Sequence, residues 1–200
     1  MTVLKQLPHA FVQCCVTSPP YYALRDYHVA GQIGRENMPE DYIERLVIVF
    51  REVKRILRND GVLWLNIGDT YANDVKWGGH PSGKHQKELH QMVRPLRFTG
   101  LPGKNLLGIP WRLALALQAD GWYLRSDIIW SKGNALPESV KDRPTKAHEY
   151  LFLLAKSERY FYDADAIREP LTTESNQRKK SDETWGKLAQ LTPVGEGMHT

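Results

Sequence analysis

Residues Ser18-Pro19-Pro20-Tyr21 directly follow a short apolar run, FVQCCVT, that ends at residue 17. The two prolines fix backbone φ and remove two amide donors, so the local polar groups that remain are acceptors: the Ser18 hydroxyl and the carbonyls around Pro19. The Tyr21 ring follows at once. Acceptors beside an aromatic plane suit a flat ligand with an exocyclic amine, because the oxygens accept the N–H groups while the ring stacks on the ligand. The alternative is a rigid turn that only ends a strand.

The apolar pattern predicts strands that alternate with helices, which favours an α/β fold with a mostly parallel sheet. The predicted strands are 11–17, 61–71, 122–132, 149–157 and 159–163, and the predicted helices are 39–58 and 110–120. We expect the last two strands to form a hairpin that adds an antiparallel edge. Ligands of open α/β sheets bind beyond the carboxyl ends of the strands, which is where Ser18 is predicted to lie.

The bulk composition is that of one ordinary domain: 200 residues, 42% apolar, with a net charge of +4. That charge permits a nucleic-acid partner without requiring one. No apolar run approaches the roughly 18 residues of a membrane span, and no signal peptide is apparent. Cys14 and Cys15 are adjacent and cannot build a disulfide framework, which fits a reducing compartment. We expect a cytoplasmic protein with no membrane partner.

Two segments lack periodicity. Residues 72–104 hold five glycines, three prolines and three histidines, and are predicted to be an inserted loop within a catalytic domain over 1–170. Residues 171–200 are polar and are predicted to be a linker or the start of a further half.

The segment TSPPYY, residues 17–22, resembles motif IV of the DNA methyltransferases that act on cytosine N4 or adenine N6. In that family, Asp, Asn or Ser precedes Pro-Pro and an aromatic residue. Three further blocks resemble the family's following segments in the same order: GVLWLNIGDTY, GIPWRLALALQADGWYLRSDIIWSK and DRPTKAHEYLFLLAKSERYFYDADAIREP. The likeness covers residues 10–170 and implies a Rossmann-like S-adenosylmethionine-dependent methyltransferase fold with an antiparallel hairpin, incomplete at its C-terminal side.

The resemblance implies direct methyl transfer from S-adenosylmethionine to a base of double-stranded DNA, as in restriction–modification systems. Ser18, Pro19, Pro20 and Tyr21 would be the catalytic residues, with the base flipped out of the duplex and stacked on Tyr21. Family members with Ser at the first position are mostly cytosine-N4 enzymes and those with Asp mostly adenine-N6 enzymes, so Ser18 favours cytosine. Related motifs also serve methyltransferases of RNA amines and of protein glutamine.

The sequence departs from the family in one respect: the glycine-rich cofactor motif D-P-F-x-G-S-G-T-T is absent. The segment GQIG at 31–34 lacks the acidic residue and the strand that such a motif needs. In one circular arrangement of the family the catalytic half comes first, so residues 1–200 are expected to be that half, with a cofactor-binding half or second subunit as partner. We expect these residues alone not to methylate DNA, or only to bind DNA or the partner half.

Four more residues are candidates for the base pocket, each with a structural alternative. Tyr22 would stack on the base or pack in the core. Asp69 would border the pocket or cap a helix. Trp130 and Lys132 end the third long strand, where Trp130 would line the pocket or pack internally.

Residues 76–104 of the inserted loop carry six basic residues against one acid, Glu88, and are predicted either to contact DNA phosphates or to be a solvated surface. The six candidates for DNA binding are Lys76, Lys84, Lys87, Arg94, Arg97 and Lys104. His80, His85 and His90 are five residues apart, without cysteine, which suits no common metal site, so no metal is expected.

Overall fold

The computed structural model describes residues 2–72, 99–135 and 137–169. Its elements in chain order are α1 Thr2–Gln6, β1 Val12–Thr17, α2 Pro39–Ile56, β2 Leu57–Ile67, α3 Ile109–Ala119, β3 Tyr123–Ser131 and β4 His148–Ala155. The chain divides into a unit that ends at Phe161 and a second that begins at Tyr162. In the second unit the Asp163 carboxylate accepts hydrogen bonds from the amides of Asp165 and Ala166.

The four strands form one open sheet in the order β1-β2-β4-β3. β1 pairs with β2 in parallel, whereas β4 is antiparallel to both β2 and β3. The predicted α/β class is confirmed. The sheet among the described residues is mixed rather than mostly parallel, because the antiparallel strand β4 lies inside it and not at its edge.

The predicted hairpin of 149–157 and 159–163 is wrong, since residues 159–163 form no strand. After β4 the chain bends back along the start of β2: the Lys156 amide donates to the Gly61 carbonyl over 3.1 Å, and the Phe161 amide donates to the Asp60 carbonyl over 3.0 Å. Tyr160 packs against the cluster around Val62 and lies under the Arg125 guanidinium, 5.5 Å from the ring centroid. These contacts hold residues 156–161 beside β2 instead of beside β4.

Helices α2 and α3 cover one face of the sheet, and the main core lies between them and the strands. α2 begins at Pro39, whose fixed φ suits a first helical turn. Its buried side chains recur at spacings of three and four, as predicted. They are Tyr42, Leu46, Phe50, Val53 and Ile56. They meet alternate residues of β2, namely Leu63, Leu65 and Ile67, together with Phe152 and Leu154 of β4 and Leu113 and Leu117 of α3.

The sequence placed the start of β2 at Gly61, but the strand begins at Leu57, directly after α2. Register explains the difference: Val12 pairs with Leu57 and Cys14 with Val62, so residues 58–61 bulge out of the ladder. The short helix α1 was not predicted. It is tied to α2 by Arg55, which donates to the carbonyls of Leu4 and Leu7. Within the described residues, no helix is long and apolar enough to cross a membrane.

Candidate active site

Three chain segments meet at one edge of the sheet. β1 and β2 are parallel, with Thr17 opposite Leu65, so both strands end there. β4 is antiparallel to β2, with Ile67 opposite Tyr150, so β4 begins there. The segments that converge are therefore the loop after β1, the end of β2 and the first residues of β4.

The loop after β1 is fixed by buried tyrosines. The Tyr42 hydroxyl of α2 donates to the Pro20 carbonyl over 2.8 Å. Tyr22 is 2% exposed, its ring centroid lies 5.3 Å from that of Tyr42, and its hydroxyl donates to the Asn37 carbonyl. The structure therefore corrects the placement of Tyr22 in the base pocket, because its ring is part of the core and offers no face to a ligand.

Two glycines let the Tyr21 residue come close to the neighbouring backbone. At Gly68, just past β2, an added Cβ would lie 2.6 Å from Tyr21 Cε2, so the phenol ring packs directly on the glycine backbone. At Gly34, where φ is +97°, a Cβ would lie 2.8 Å from the Tyr21 carbonyl oxygen. The Ala23 amide donates to the Gly34 carbonyl over 2.9 Å. The position of Tyr21 thus depends on the absence of side chains at both sites.

The Tyr21 hydroxyl lies at the centre of a polar network. It donates to Asn66 Oδ1 over 2.6 Å and contacts Glu149 Oε2 at 3.1 Å, and the Ser18 hydroxyl lies 3.3 Å away. Lys132 forms an ion pair with Glu149 through Oε1. Ser18, Tyr21 and Lys132 were predicted site residues, and the structure brings them together through two residues that were not predicted.

Those two residues, Asn66 and Glu149, carry signals in the sequence. Asn66 is a single amide within the apolar run VLWLNI, and a polar side chain in a buried strand needs a hydrogen-bond partner. Glu149 precedes the apolar run YLFLLA at the start of β4. Pairing of β2 with β4 was not predicted, so nothing in the sequence indicated that these residues would meet at Tyr21.

The protonation states of the site follow from its surroundings. Burial raises the pKa of Tyr21, as does the neighbouring Glu149 carboxylate, while the hydrogen bond from Ser18 lowers it. Partial burial alone would raise the pKa of Glu149, but hydrogen bonds from Lys132 and Tyr21 outweigh it and the pKa lies below its usual value. At neutral pH the phenol is therefore protonated and the carboxylate is ionised.

The carbonyls of the loop differ in their availability. The Pro20 carbonyl is occupied by Tyr42, whereas no donor in residues 2–72, 99–135 and 137–169 reaches the Pro19 carbonyl. Ser18 is exposed. The arrangement therefore offers two acceptors, the Ser18 hydroxyl and the Pro19 carbonyl, next to the partly exposed ring of Tyr21.

Asp69 caps a helix, which was the structural alternative to a role in the base pocket. Its Oδ1 accepts from the amides of Thr70 and Ile109, both over 2.9 Å, and so caps the start of α3. The Asp69 carbonyl accepts from Lys146, whose pKa is lowered by burial. Backbone amides thus occupy one oxygen of the Asp69 carboxylate, Oδ1, and a place for Asp69 at the border of the base pocket stays a prediction.

Trp130 does not pack in the core, since it is 58% exposed. It pairs with Glu149 across β3 and β4, which places both side chains on the same face of the sheet. Its place in a base pocket stays a prediction.

Most of the predicted DNA-binding residues, Lys76, Lys84, Lys87, Arg94 and Arg97, lie outside the described residues, as do His80, His85, His90 and the segment 171–200. Lys104 is described, and its ammonium group forms an ion pair with Asp142 over 2.7 Å. In the part of the chain that the structure describes, no group of three or more His, Cys, Asp or Glu side chains is arranged to hold a metal ion.

The sequence and the fold were compared with known proteins. A family model described as DNA methylase, of the N6 and N4 type, matches residues 12–194. The chain belongs to this DNA methylase family. It is 56% identical over 170 residues to the type II methyltransferase M.XycI of Xanthomonas campestris pv. cyanopsidis, covering 85% of this chain and 56% of the relative. It is 54% identical over 169 residues to the type II methyltransferase M.Cfr9I of Citrobacter freundii, covering 84% of this chain and 56% of that relative.

Among solved structures, the PvuII DNA methyltransferase, named as cytosine-N4-specific, superposes with a TM-score of 0.53 at 17% identity. The match covers 88% of this chain and 56% of that one. At this identity the likeness shows the methyltransferase fold alone. The chain thus spans about half the length of the relatives that it matches.

Proposed function

We propose that residues Ser18–Tyr21 bind the exocyclic amine of a base flipped out of double-stranded DNA, and that an enzyme containing them transfers a methyl group from S-adenosylmethionine to that nitrogen. Cytosine N4 is the favoured target because the motif begins with Ser18. The observation that carries the proposal is the pair of available acceptors, the Ser18 hydroxyl and the Pro19 carbonyl, beside the ring of Tyr21.

The described residues would bind the nucleobase and activate its exocyclic amine. An exocyclic amine is a weak nucleophile because its lone pair is delocalised into the ring. Two hydrogen bonds accepted from its N–H groups, by Ser18 Oγ and the Pro19 carbonyl, favour a tetrahedral nitrogen with a localised lone pair. Stacking on Tyr21 orients the base, and orientation and electrostatic stabilisation supply most of the catalysis.

The turn at 31–34, which was weighed as a substitute for the glycine-rich cofactor motif, does not fit the proposed methyl donor. The glycine-containing turn at 31–34 is filled by the Arg45 guanidinium, which donates to the carbonyls of Gly31 over 2.6 Å and Gln32 over 3.2 Å. The same guanidinium pairs with the buried Glu36. We therefore place the S-adenosylmethionine site on a second half or subunit that associates with this one.

The test is methyl transfer from isotopically labelled S-adenosylmethionine to unmethylated genomic DNA. The chain is assayed alone and after co-expression with the part of the Xanthomonas relative that it does not match, once gel filtration has shown that the two associate. We expect N4-methylcytosine, identified by mass spectrometry of hydrolysed DNA, from the associated pair and none from the chain alone. The Ser18→Ala variant of the pair should lose most of it.

Other products would contradict parts of the proposal. N6-methyladenine would show that the target base is wrong. Methylated RNA with unmethylated DNA would favour the RNA-amine alternative, and a gel shift that compares duplex DNA with RNA separates the two. An associated pair that binds S-adenosylmethionine in calorimetry but methylates nothing would refute the enzymatic role and leave a protein that only binds DNA or its partner.

The six basic residues from Lys76 to Lys104 are proposed to contact DNA phosphates. Replacing one of these lysines, for example Lys84→Ala, should weaken duplex binding equally for all sequences. It should also reduce the slope of log affinity against log salt concentration by about 1. An unchanged slope for all six single variants would show that this segment is a solvated surface.

A further inference from the structure

The direction of the hydrogen bonds around Tyr21 determines what Ser18 presents to a ligand. A phenol has one proton and two lone pairs, and a serine hydroxyl can either donate or accept. The Tyr21 hydroxyl meets Asn66 at 2.6 Å, Glu149 at 3.1 Å and Ser18 at 3.3 Å. Only one of these three contacts can take the phenol proton without sharing it.

The Asn66 side chain faces Tyr21 with its oxygen. Its Nδ2 donates to the Tyr150 carbonyl over 3.2 Å. A carbonyl can only accept, so that contact requires the amide nitrogen on its side and leaves Oδ1 towards the phenol. Tyr21 must therefore act as the donor in its contact with Asn66.

The Glu149 carboxylate also presents only acceptors. The ion pair with Lys132 lowers the pKa of Glu149 and keeps it ionised at neutral pH. The groups that face the phenol from β2 and β4 are thus both acceptors, and neither can supply a proton. A further titratable side chain packed on the loop is Tyr42, whose hydroxyl proton is given to the Pro20 carbonyl.

We propose that Asn66 and Glu149 act through Tyr21 to fix the direction of the Ser18 hydroxyl. The phenol proton points towards the acceptors Asn66 and Glu149, so the phenol oxygen accepts a hydrogen bond from Ser18. The Ser18 proton is then used in that bond, and the lone pairs of the Ser18 hydroxyl face the ligand. The inference rests on the proposed function in one respect, that the ligand is an amine. With the opposite direction Ser18 would present its proton to the N–H group of the base, and no hydrogen bond would form.

In this arrangement Asn66 and Glu149 are positioning residues and Ser18 is the group that contacts the base. Kinetics of the associated pair described above provide one test. Glu149→Gln should lower kcat with little change in DNA affinity, and should have no further effect in the Ser18→Ala background, because Glu149 acts only through Ser18. An equal loss in both backgrounds would show that Glu149 acts on the base or on folding instead.

The second test needs neither DNA nor cofactor, so its outcome does not depend on methyltransferase activity. The chain is labelled with fluorotyrosine, and the Tyr21 resonance is assigned by its loss in Tyr21→Phe and titrated by ¹⁹F NMR. If Ser18 donates to the phenol oxygen, it stabilises the phenolate, and Ser18→Ala should raise the pKa of Tyr21. Glu149→Gln should lower that pKa, because a nearby negative charge is removed.

The control is Ser126→Ala on β3, whose hydroxyl contacts only the Asp127 carbonyl among the described residues. It should leave the Tyr21 titration unchanged, and an unchanged set of the other tyrosine resonances shows that each variant is folded. A lower Tyr21 pKa in Ser18→Ala would show that Ser18 accepts from the phenol, which overturns the proposal. An unchanged pKa would overturn it as well, since Ser18 would then not be bonded to Tyr21.

Discussion

Substitution of Gly68 tests how the Tyr21 ring is held. An alanine Cβ at this position would lie 2.6 Å from Tyr21 Cε2 and 2.8 Å from Cδ2, whereas ordinary contacts begin at 3.4 Å. The ring would have to move by about 0.8 Å, the difference between these distances. The ring is not free to move, because the Tyr21 hydroxyl is bonded to Asn66 over 2.6 Å. The backbone cannot move with it, because the Tyr21 carbonyl oxygen lies against Gly34.

The expected cost follows from two opposing effects. Overpacking of this size typically costs about 1–3 kcal/mol. Gly→Ala at a position with an ordinary φ gains about 0.4–1 kcal/mol, because the unfolded chain loses freedom. Gly68→Ala should therefore destabilise the protein by about 1–2 kcal/mol, as measured by urea unfolding with linear extrapolation.

The matched control is Gly133→Ala, where an added Cβ meets nothing within 4 Å. It should be neutral or slightly stabilising. A second control repeats Gly68→Ala in a Tyr21→Ala background, where the clash is gone and the substitution should cost nothing. An equal loss of stability with and without the Tyr21 ring would refute the packing of Tyr21 on Gly68.

Two further predictions concern groups that fix the loop after β1. Tyr42→Phe removes the bond to the Pro20 carbonyl and should cost about 1–2 kcal/mol in urea unfolding. Burial, with the nearby Glu36 and Tyr21, raises the pKa of Tyr42. The folded state thus holds the phenol proton more tightly, and stability present below the unfolded pKa of about 10 is lost as pH rises above it. Tyr42→Phe should reduce that alkaline loss, and an unchanged pH dependence would contradict this assignment. Arg45→Ala leaves the Glu36 carboxylate, 5% exposed, without its cation and should cost about 1–3 kcal/mol. The control Arg58→Ala breaks an exposed ion pair with Asp60 and should change the free energy of unfolding by no more than about 0.5 kcal/mol. Equal losses of stability in Arg45→Ala and Arg58→Ala would show that burial of Glu36 adds nothing to the strength of its ion pair.

Local signals were enough to locate most of the elements. The apolar, partly β-branched run at 11–17 predicted β1, although this edge strand is not buried as expected. The spacing of the apolar residues in 39–58 predicted α2, because one face of that helix is buried. The Ser-Pro-Pro-Tyr segment revealed its acceptors from residue type alone, since proline removes donors wherever it lies. The position of this loop at the end of a strand was also correct.

The pairing of the strands could not be predicted from the sequence. Nothing in YLFLLA distinguishes a strand between β2 and β3 from one at a hairpin edge, because both positions bury apolar side chains. For that reason Glu149 and Asn66, which are 83 residues apart, were not connected with Tyr21. Tyr22 was misplaced for a related reason: a tyrosine beside a site motif suits a ligand pocket or a core contact equally well. A carboxylate there suits a pocket or a helix cap equally well, so the sequence left both roles open for Asp69.

The most direct test of the central claim is binding of a base with and without its exocyclic amine. The chain is titrated by NMR with a single-stranded oligonucleotide rich in cytosine, and with the same strand in which uracil replaces each cytosine. The account predicts shifts at Ser18, Tyr21 and Glu149 for the cytosine strand. It predicts at least about fivefold weaker binding of the uracil strand. Uracil has a carbonyl where cytosine has its exocyclic amine, so the Ser18 hydroxyl and the Pro19 carbonyl would face an acceptor instead of a donor. Equal affinity for the two strands, or shifts confined to other parts of the chain, would contradict the claim that these residues recognise an amine.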